Sequence, residues 1–344
     1  MNSKYNMRQF AKLFFPIIIL SILVGTSCKK SETDTTIVYM TGALTFTLPD
    51  FIIASSVIEL NASGITEPTT GITYKWSIPG FSVDSVKTQV AIVNAPSVVG
   101  NYVVTITASH PDYSSKSVSR STIVINPSSP ESFSGVVNGP NFITDSRDGQ
   151  KYYYNTVGGL DWFTSNLNWA DAGKTYRETA ALSYIYGRLY SWTEATGGVS
   201  SNTLGGGPKG VCPTGWSVPT EKDWESLAKA LNGNVDISFD STWPNLGGKV
   251  TVDAKLNSGN IWKYSPNNLK SNMFLWNALP AGNASENFTR YSNINQYGFW
   301  WSSTEKDATN GEYRYIYFDS PDFPYNFANK SYFGASVRCV RKVQ

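Results

Sequence analysis

A series of short alternating segments between Ile37 and Asn126 constrains the fold of this chain more than any other feature. Apolar and polar residues alternate within each segment, and turn-forming residues separate the segments, which read GALTFTL, SVIELNAS, ITYKWSI, TQVAIVNA, GNYVVTITAS and SRSTIVIN. Because successive side chains of a strand point to opposite faces, the pattern predicts short antiparallel strands with one buried face. Strands this close together, with no helical periodicity, indicate an all-β sandwich over residues 37–127.

Two aromatic residues refine this prediction. Trp76, in TYKWSIP, is expected at the centre of the sandwich core, and Tyr102, in VGNYVVTITAS, is expected to be a corner tyrosine. With these motifs the segment resembles the bacterial immunoglobulin-like or PKD-like domains that act as spacers in surface proteins. It contains no cysteine pair, so its apolar core must hold it together.

The N-terminus has the pattern of an export signal. Lys4, Arg8 and Lys12 precede the apolar run Leu13–Val24. That run is shorter than the roughly 20 residues that a membrane-spanning helix needs. A basic start, a short apolar stretch and small residues before a processing site predict a signal peptide over residues 1–27.

The residues that follow favour a lipid anchor. The motif GTSC resembles the lipobox of bacterial lipoproteins, in which the cysteine, here Cys28, is acylated and becomes the mature N-terminus. Gly25 stands where such motifs usually have leucine. Residues 28–36 then predict a polar tether, and the expected location is the bacterial outer membrane, exposed at the surface. An ordinary signal peptide with an unrelated cysteine is the alternative.

Charge excludes some classes of partner. The chain has 28 basic and 26 acidic residues, and removal of three basic residues with the signal leaves 25 against 26, a net charge of −1. A nearly neutral chain lacks the basic surface expected of a nucleic-acid binder. Aromatic residues make up 14% of the chain, including 11 Trp and 20 Tyr, which is enough for a large core, a binding face or both.

The remaining cysteines, Cys212 and Cys339, predict one disulfide, because paired thiols oxidise in an exported protein. A nucleophilic cysteine would need a histidine, and the single histidine, His110, belongs to the sandwich segment. No second cysteine or histidine lies near Cys212 in sequence to share a metal. We therefore expect no catalytic residue, no metal site and no cofactor.

A second region, residues 133–344, follows a Pro/Ser-rich hinge at 128–132 and is rich in Gly, Trp, Tyr and Asn. Thr220 and Asp223 predict the start of a helix, and Gly233 its end. The helical spacing of its apolar residues supports this prediction: Trp224, Leu227, Ala228 and Leu231. A second helix is predicted through ALSYIYGRLYSWTEAT, and strands are predicted at FWWSSTE, YRYIYFDS and GASVRCVR.

Several motifs of this region occur in a recognisable order. They read TDSRDGQKYYYNTVGGLDWFTSNLNW, YGRLYSWTEA, GVCPTGWSVPTEKDWESLAKAL, LPAG, FWWSSTE and GASVRCVR. In this order they closely resemble the Fibrobacter succinogenes major paralogous domain of exported bacterial proteins. The resemblance implies an α+β domain similar to the C-type lectin fold, with the two cysteine motifs brought together. It implies no established activity, since members are mostly uncharacterised surface lipoproteins.

Individual motifs offer little catalytic chemistry. Asp145 and Asp148, in DSRDGQ, suggest a calcium loop, but the other oxygen ligands are missing and a tight turn is favoured. Ser302 and Ser303, in WWSSTE, have no histidine in this region to act as base. Acidic pairs such as Asp319 with Asp322 are too common on surfaces to indicate a glycosidase.

The aromatic and amide residues favour binding over catalysis. Sugar faces stack on aromatic rings while amides bind hydroxyl groups, so we expect an extracellular polymer, glycan or protein as ligand. The predicted contact residues are Trp262, Asn295, Tyr297, Trp300, Trp301, Asn310, Asp319 and Tyr325. A structural role for these aromatic residues is the alternative at residue level. At the level of function the alternatives are an enzyme with a carboxylate or metal site, and a purely structural surface component.

Overall fold

The computed structural model describes residues 37–237, 242–263 and 270–343, and Tyr39–Gln344 forms one compact unit. The predicted signal peptide, Cys28 and the tether lie outside the described residues. Strands are the main regular structure of the described chain and are arranged in several sheets. Within these ranges, every helix is too short or too polar to cross a membrane.

The first part of the unit is a sandwich of two sheets around one apolar core. Its strands are β1 (Thr41–Phe46), β2 (Phe51–Ile53), β3 (Val57–Glu67), β4 (Thr73–Ser77), β5 (Ser85–Val86), β6 (Val90–Asn94), β7 (Gly100–His110) and β8 (Tyr113–Ile125). One sheet has the order β1-β3-β6 and the other β2-β8-β7-β4-β5. Trp76 is fully buried between them, as predicted. The Tyr102 hydroxyl donates to the Val98 carbonyl oxygen at 2.8 Å, the contact expected of a corner tyrosine.

The C-terminal region combines short strands with four short helices among its described residues. The strands are β9 (Phe133–Ser134), β10 (Asn141–Thr144), β11 (Lys151–Val157), β12 (Leu160–Phe163), β13 (Tyr190–Ser191), β14 (Lys255–Leu256), β15 (Gly259–Asn260), β16 (Asn283–Ser285), β17 (Arg290–Ser292), β18 (Tyr297–Glu305), β19 (Asn310–Tyr317), β20 (Tyr325–Asn329), β21 (Gly334–Ala335) and β22 (Val340–Lys342). The helices are α1 (Ala180–Tyr186), α2 (Trp192–Thr196), α3 (Glu221–Leu231) and α4 (Leu246–Val250). The strands of this region form four sheets, with orders β10-β11-β12-β22, β13-β21-β16-β17, β15-β14-β9 and β18-β19-β20.

Helix α3 confirms the prediction from capping chemistry. The Thr220 side chain accepts from the Asp223 backbone at 3.2 Å, and the Thr220 backbone donates to the Asp223 carboxylate at 2.8 Å. The helix ends at Leu231, and Asn232 caps it ahead of Gly233.

The second predicted helix is wrong in extent, because two short helices replace it. Helix α1 ends at Gly187, whose φ of 71° places it in the left-handed region. The chain then forms β13, which pairs with β21, before α2 begins. Helical periodicity continued through this segment, but the pairing of Tyr190 and Ser191 with a distant strand overrides it.

The predicted disulfide is present. Cys212 and Cys339 are bonded, with their Cα atoms 5.9 Å apart, although 127 positions separate them in sequence. Both are fully buried in one apolar cluster. The bridge joins the loop before α3 to the segment before β22, so it fixes the last strand of the region.

The sandwich and the C-terminal region are packed against each other. Phe51 and Ile123 of the sandwich contact an apolar cluster that contains Ile261. Asn257 donates to the Val124 carbonyl oxygen at 2.8 Å and accepts from the Ser132 hydroxyl at 2.7 Å. The segment predicted as a hinge therefore contributes a buried serine to the junction.

Candidate functional site

The three predicted tryptophan contacts are core residues. Trp262, Trp300 and Trp301 are at most 3% exposed. Their indole nitrogens donate inside the protein: that of Trp300 to the Asn166 side chain at 2.8 Å, and that of Trp301 to the Tyr190 carbonyl at 2.7 Å. None of the three offers an open ring face to a ligand, which corrects the expected binding surface.

The other predicted contacts do not converge on one surface. Asn310 begins β19 and donates to the Asp307 carboxylate at 2.9 Å, whereas Tyr297 pairs with Tyr317 at the far end of that strand. At about 3.3 Å per residue these ends are roughly 23 Å apart. Asp319 is exposed in the turn after β19.

Tyr325 is also turned toward the protein. Its hydroxyl donates to the Glu312 carboxylate at 3.0 Å. Tyr297 is half-buried and stacks on Phe299, with ring centroids 5.5 Å apart. Asn295, another of the eight predicted residues, lines two cavities.

The larger of the two cavities is lined by residues of the C-terminal region, and Arg177 in its wall pairs with Asp50 of the sandwich. We call it the junction groove; it has a volume of about 590 Å³. Its walls consist of Tyr176, Arg177, Asn260, Lys263, Tyr291, Ser292, Asn293, Ile294, Asn295 and Gln296. A second cavity of about 330 Å³ shares Asn260 and Asn295 with it and extends along Asn101 of the sandwich. The two together form a polar surface to which both parts of the molecule contribute.

Several polar groups of the junction groove have no partner within the described part of the chain. This applies to the side chains of Asn260, Lys263 and Gln296. Asn295 accepts from the Tyr186 hydroxyl at 2.5 Å through Oδ1, which leaves its amide hydrogens unused there. Asn293 donates to the Asn283 Oδ1 at 2.7 Å and keeps its own oxygen as an acceptor. Each amide can thus offer a donor or an acceptor to a ligand.

Two tyrosines form the less polar wall. The rings of Tyr176 and Tyr291 lie 5.5 Å apart at 59°. Tyr176 is buried, while Tyr291 is half-buried with a hydroxyl that lacks a hydrogen-bond partner among the described residues. Burial raises the pKa of Tyr291, and the charge of Glu178 adds to this. The phenol therefore stays neutral and can donate a hydrogen bond.

A second polar cluster lies in the core. Arg314 donates from Nε to Glu221 Oε1 at 2.7 Å and from Nη2 to the same oxygen, and its guanidinium lies 3.4 Å from the centre of the Trp243 ring. Desolvation raises the pKa of Glu221 to about 7, although Arg314 acts in the opposite direction. Both side chains are fully buried, so a substrate cannot reach them. We therefore assign this cluster to stability.

The Asp145 motif forms a turn. The Asp145 carboxylate accepts from the Arg147 backbone at 3.1 Å and forms an ion pair with the Arg147 guanidinium at 2.7 Å. The Asp145 backbone and Gln150 close the turn at 2.8 Å. Across the described ranges, no three His, Cys, Asp or Glu side chains are grouped to hold a metal ion.

The sequence analysis missed most of the junction groove. Asn260, Asn293 and Gln296 are ordinary amides, and periodicity assigns them no role. A usable signal was the clustering of asparagine in two loops, NSGN and SNINQ. Asn257, Asn293 and Asn295 adopt positive φ values of 45°, 66° and 63°, which asparagine tolerates better than most residues.

Comparison with known proteins identifies one family. The family model described as the Fibrobacter succinogenes major domain matches residues 156–341. The match includes α3, the disulfide and the junction groove residues, and it covers more than half of the chain. It confirms the resemblance drawn from the ordered motifs. No curated protein matches the chain.

Proposed function

The chain belongs to the Fibrobacter succinogenes major domain family, and from that premise we propose that it is a binding protein of the bacterial cell surface that holds a glycan in the junction groove without catalysis. The observation that carries the proposal is the set of unpartnered amides beside a half-buried tyrosine ring. Sugars present hydroxyl groups that pair with amides and apolar faces that pack on rings. The groove is formed by loops that adjoin β15 and β17, and a site held in place before binding loses less entropy when the ligand binds.

The finer fold is part of the proposal. We assign the sandwich to the immunoglobulin-like or PKD-like class and the C-terminal region to folds related to the C-type lectin domain. The corner contact between Tyr102 and Val98 supports the first assignment, and the bridge between the two cysteine motifs supports the second. In this arrangement the sandwich acts as a spacer and also supplies Asn101 beside the ligand site.

Removal of the amides tests the binding proposal. We expect Asn260→Ala combined with Gln296→Ala to weaken binding to a glycan selected from an array by about tenfold, because each neutral hydrogen bond contributes roughly 0.5–1.5 kcal/mol. Calorimetry with the purified full chain measures the change. Asn326→Ala, an exposed amide on β20 outside both cavities, is the matched control. Equal losses in both variants, or no loss in either, would contradict the assignment of the site.

Lipid anchoring is proposed from the export signal and Cys28. We expect Cys28→Ala to remain unacylated, so that the protein partitions into the aqueous phase or its precursor stays unprocessed. Detergent partitioning and metabolic labelling with a fatty acid measure this outcome, with Thr36→Ala in the predicted tether as the control. Unchanged processing and membrane retention of the Cys28→Ala variant would leave an ordinary signal peptide as the better explanation.

A further inference from the structure

Two cationic side chains line the junction groove, and the two carboxylates that act on its residues, Asp50 and Glu178, lie outside that lining. Arg177 and Lys263 line it, and its described lining contains no carboxylate. The Lys263 ammonium has no partner among the described residues. Arg177 donates to Asp50 of the sandwich at 3.2 Å, but both side chains are about 60% exposed and therefore remain open to exchange with a ligand.

The backbone holds Arg177 in an uncommon conformation at the wall of the groove. Its φ of 50° lies in the left-handed region, as does the φ of 53° at the next residue, Glu178. Residues other than glycine, asparagine and aspartate adopt this region rarely. The preceding Tyr176 is buried, and the exposed Arg177 guanidinium lies 5.8 Å from the centre of the Tyr176 ring.

We infer that the glycan is acidic, with a sugar carboxylate bound by Arg177 and Lys263. This inference rests on the proposed function and names the class of its ligand. The guanidinium fork matches a carboxylate in two hydrogen bonds, and Lys263 adds a second positive charge. The sugar ring packs on Tyr291, and its hydroxyl groups bond to Asn260 and Gln296. Arg177 then exchanges Asp50 for the carboxylate of the ligand.

Matched pairs of oligosaccharides test this charge preference. Oligogalacturonate, oligoguluronate and oligoglucuronate are each titrated beside their carboxyl-reduced, neutral forms into the full chain in detergent. We expect the acidic form of a bound pair to bind about tenfold more tightly, and the difference to shrink as salt screens the charges. Equal affinity for both forms would overturn the inference and leave glycan binding intact. Failure of every acidic and neutral form to bind would count against the proposed function as well.

Two variants with opposite expected signs separate recognition from folding. Arg177→Gln should weaken binding of the acidic form about tenfold and leave the neutral form unchanged. Asp50→Asn should tighten binding of the acidic form about threefold, because Arg177 no longer shares its charge with Asp50. Arg290→Gln, an exposed arginine that pairs with Glu286 outside the groove, is the control and should change neither. Weaker binding of the acidic form to Asp50→Asn, or equal effects of Arg177→Gln on both forms, would refute the assignment.

Discussion

Within residues 37–126, Thr122 is the one polar side chain that the sandwich buries, whereas the C-terminal region buries two arginines, several acids and a disulfide. The sandwich core is a single cluster of aliphatic and aromatic residues around Trp76. In the C-terminal region, buried charges lie between clusters rich in tryptophan. One part is therefore held by apolar area alone, and the other also depends on satisfied polar groups.

Arg338 illustrates what a core with buried charged groups requires. It is fully buried, and its guanidinium donates to the Asn166 side chain at 2.9 Å and to the carbonyl oxygens of Phe163, Trp276 and Asn277. Its partners among the described residues are neutral, so burial lowers its pKa to about 9. Three separate segments of chain must therefore meet at this side chain: residues 163–166, residues 276–277 and the segment of Arg338 itself. Such a core tolerates fewer substitutions than an alternating apolar one, because each lost partner leaves a buried polar group unpaired.

The largest expected difference between the two parts comes from the disulfide. We expect Cys212→Ala combined with Cys339→Ala to lower the free energy of unfolding by about 4–5 kcal/mol, since the bridge closes a loop of more than a hundred residues. Denaturant unfolding measures the total. Amide hydrogen exchange shows where the stability is lost: protection should be lost around β12 and β22 and retained in β7 and β8.

The sandwich provides the control for this experiment. Protein that is reduced with dithiothreitol while unfolded and then refolded in its presence should reproduce the effect of the double variant and leave exchange in β7 and β8 unchanged, because the bridge is buried in the native protein. A stability loss below about 1 kcal/mol, or equal loss of protection in both parts, would show that the bridge does not distinguish them.

The sequence predicted the sandwich well because one rule governs it. Alternation assigns each side chain to a face, and when one face is buried the rule also identifies the core, as it did for Trp76. The capping box of α3 was predictable for a similar reason, since Thr220 and Asp223 act locally.

Strand β18 is a case in which alternation does not identify the buried face. Alternation puts neighbouring residues such as Trp300 and Trp301 on opposite faces of a strand, and both were predicted as ligand contacts. Both faces are covered: Trp300 packs in the cluster with Trp224 and Phe323, and Trp301 in the cluster with Tyr190. A strand buried on both faces cannot be recognised from its own alternation. The junction groove was equally hidden, because Arg177, Asn260 and Gln296 come together only when the loops pack.

The C-terminal region should also differ from the sandwich, by a smaller amount, in how its stability depends on pH. Desolvation raises the pKa of Glu221 in the folded protein to about 7, above its ordinary value of 4.5. The folded state therefore keeps a proton that the unfolded state loses, and the resulting stability is present below pH 4.5 and lost as pH rises through 7. We expect the free energy of unfolding to fall by about 3 kcal/mol between pH 4 and pH 8 from this group, at 1.4 kcal/mol per pKa unit. Urea unfolding across that range measures the slope.

The variant Glu221→Gln separates this contribution from the rest of the molecule. Glutamine resembles the protonated form of Glu221, so the variant should be close to the parent in stability near pH 4, and its unfolding free energy should fall less steeply with pH than that of the parent. Glu59→Gln is the control, since Glu59 is exposed in the sandwich and does not contribute to the shift of Glu221. The unfolding free energy of this control should change with pH as steeply as that of the parent. A Glu221→Gln variant with that same slope would mean that Glu221 is ionised at both ends of the range and that the buried pair with Arg314 is a full ion pair. In that case the difference in stability between the C-terminal core and the sandwich would be the same at every pH in this range.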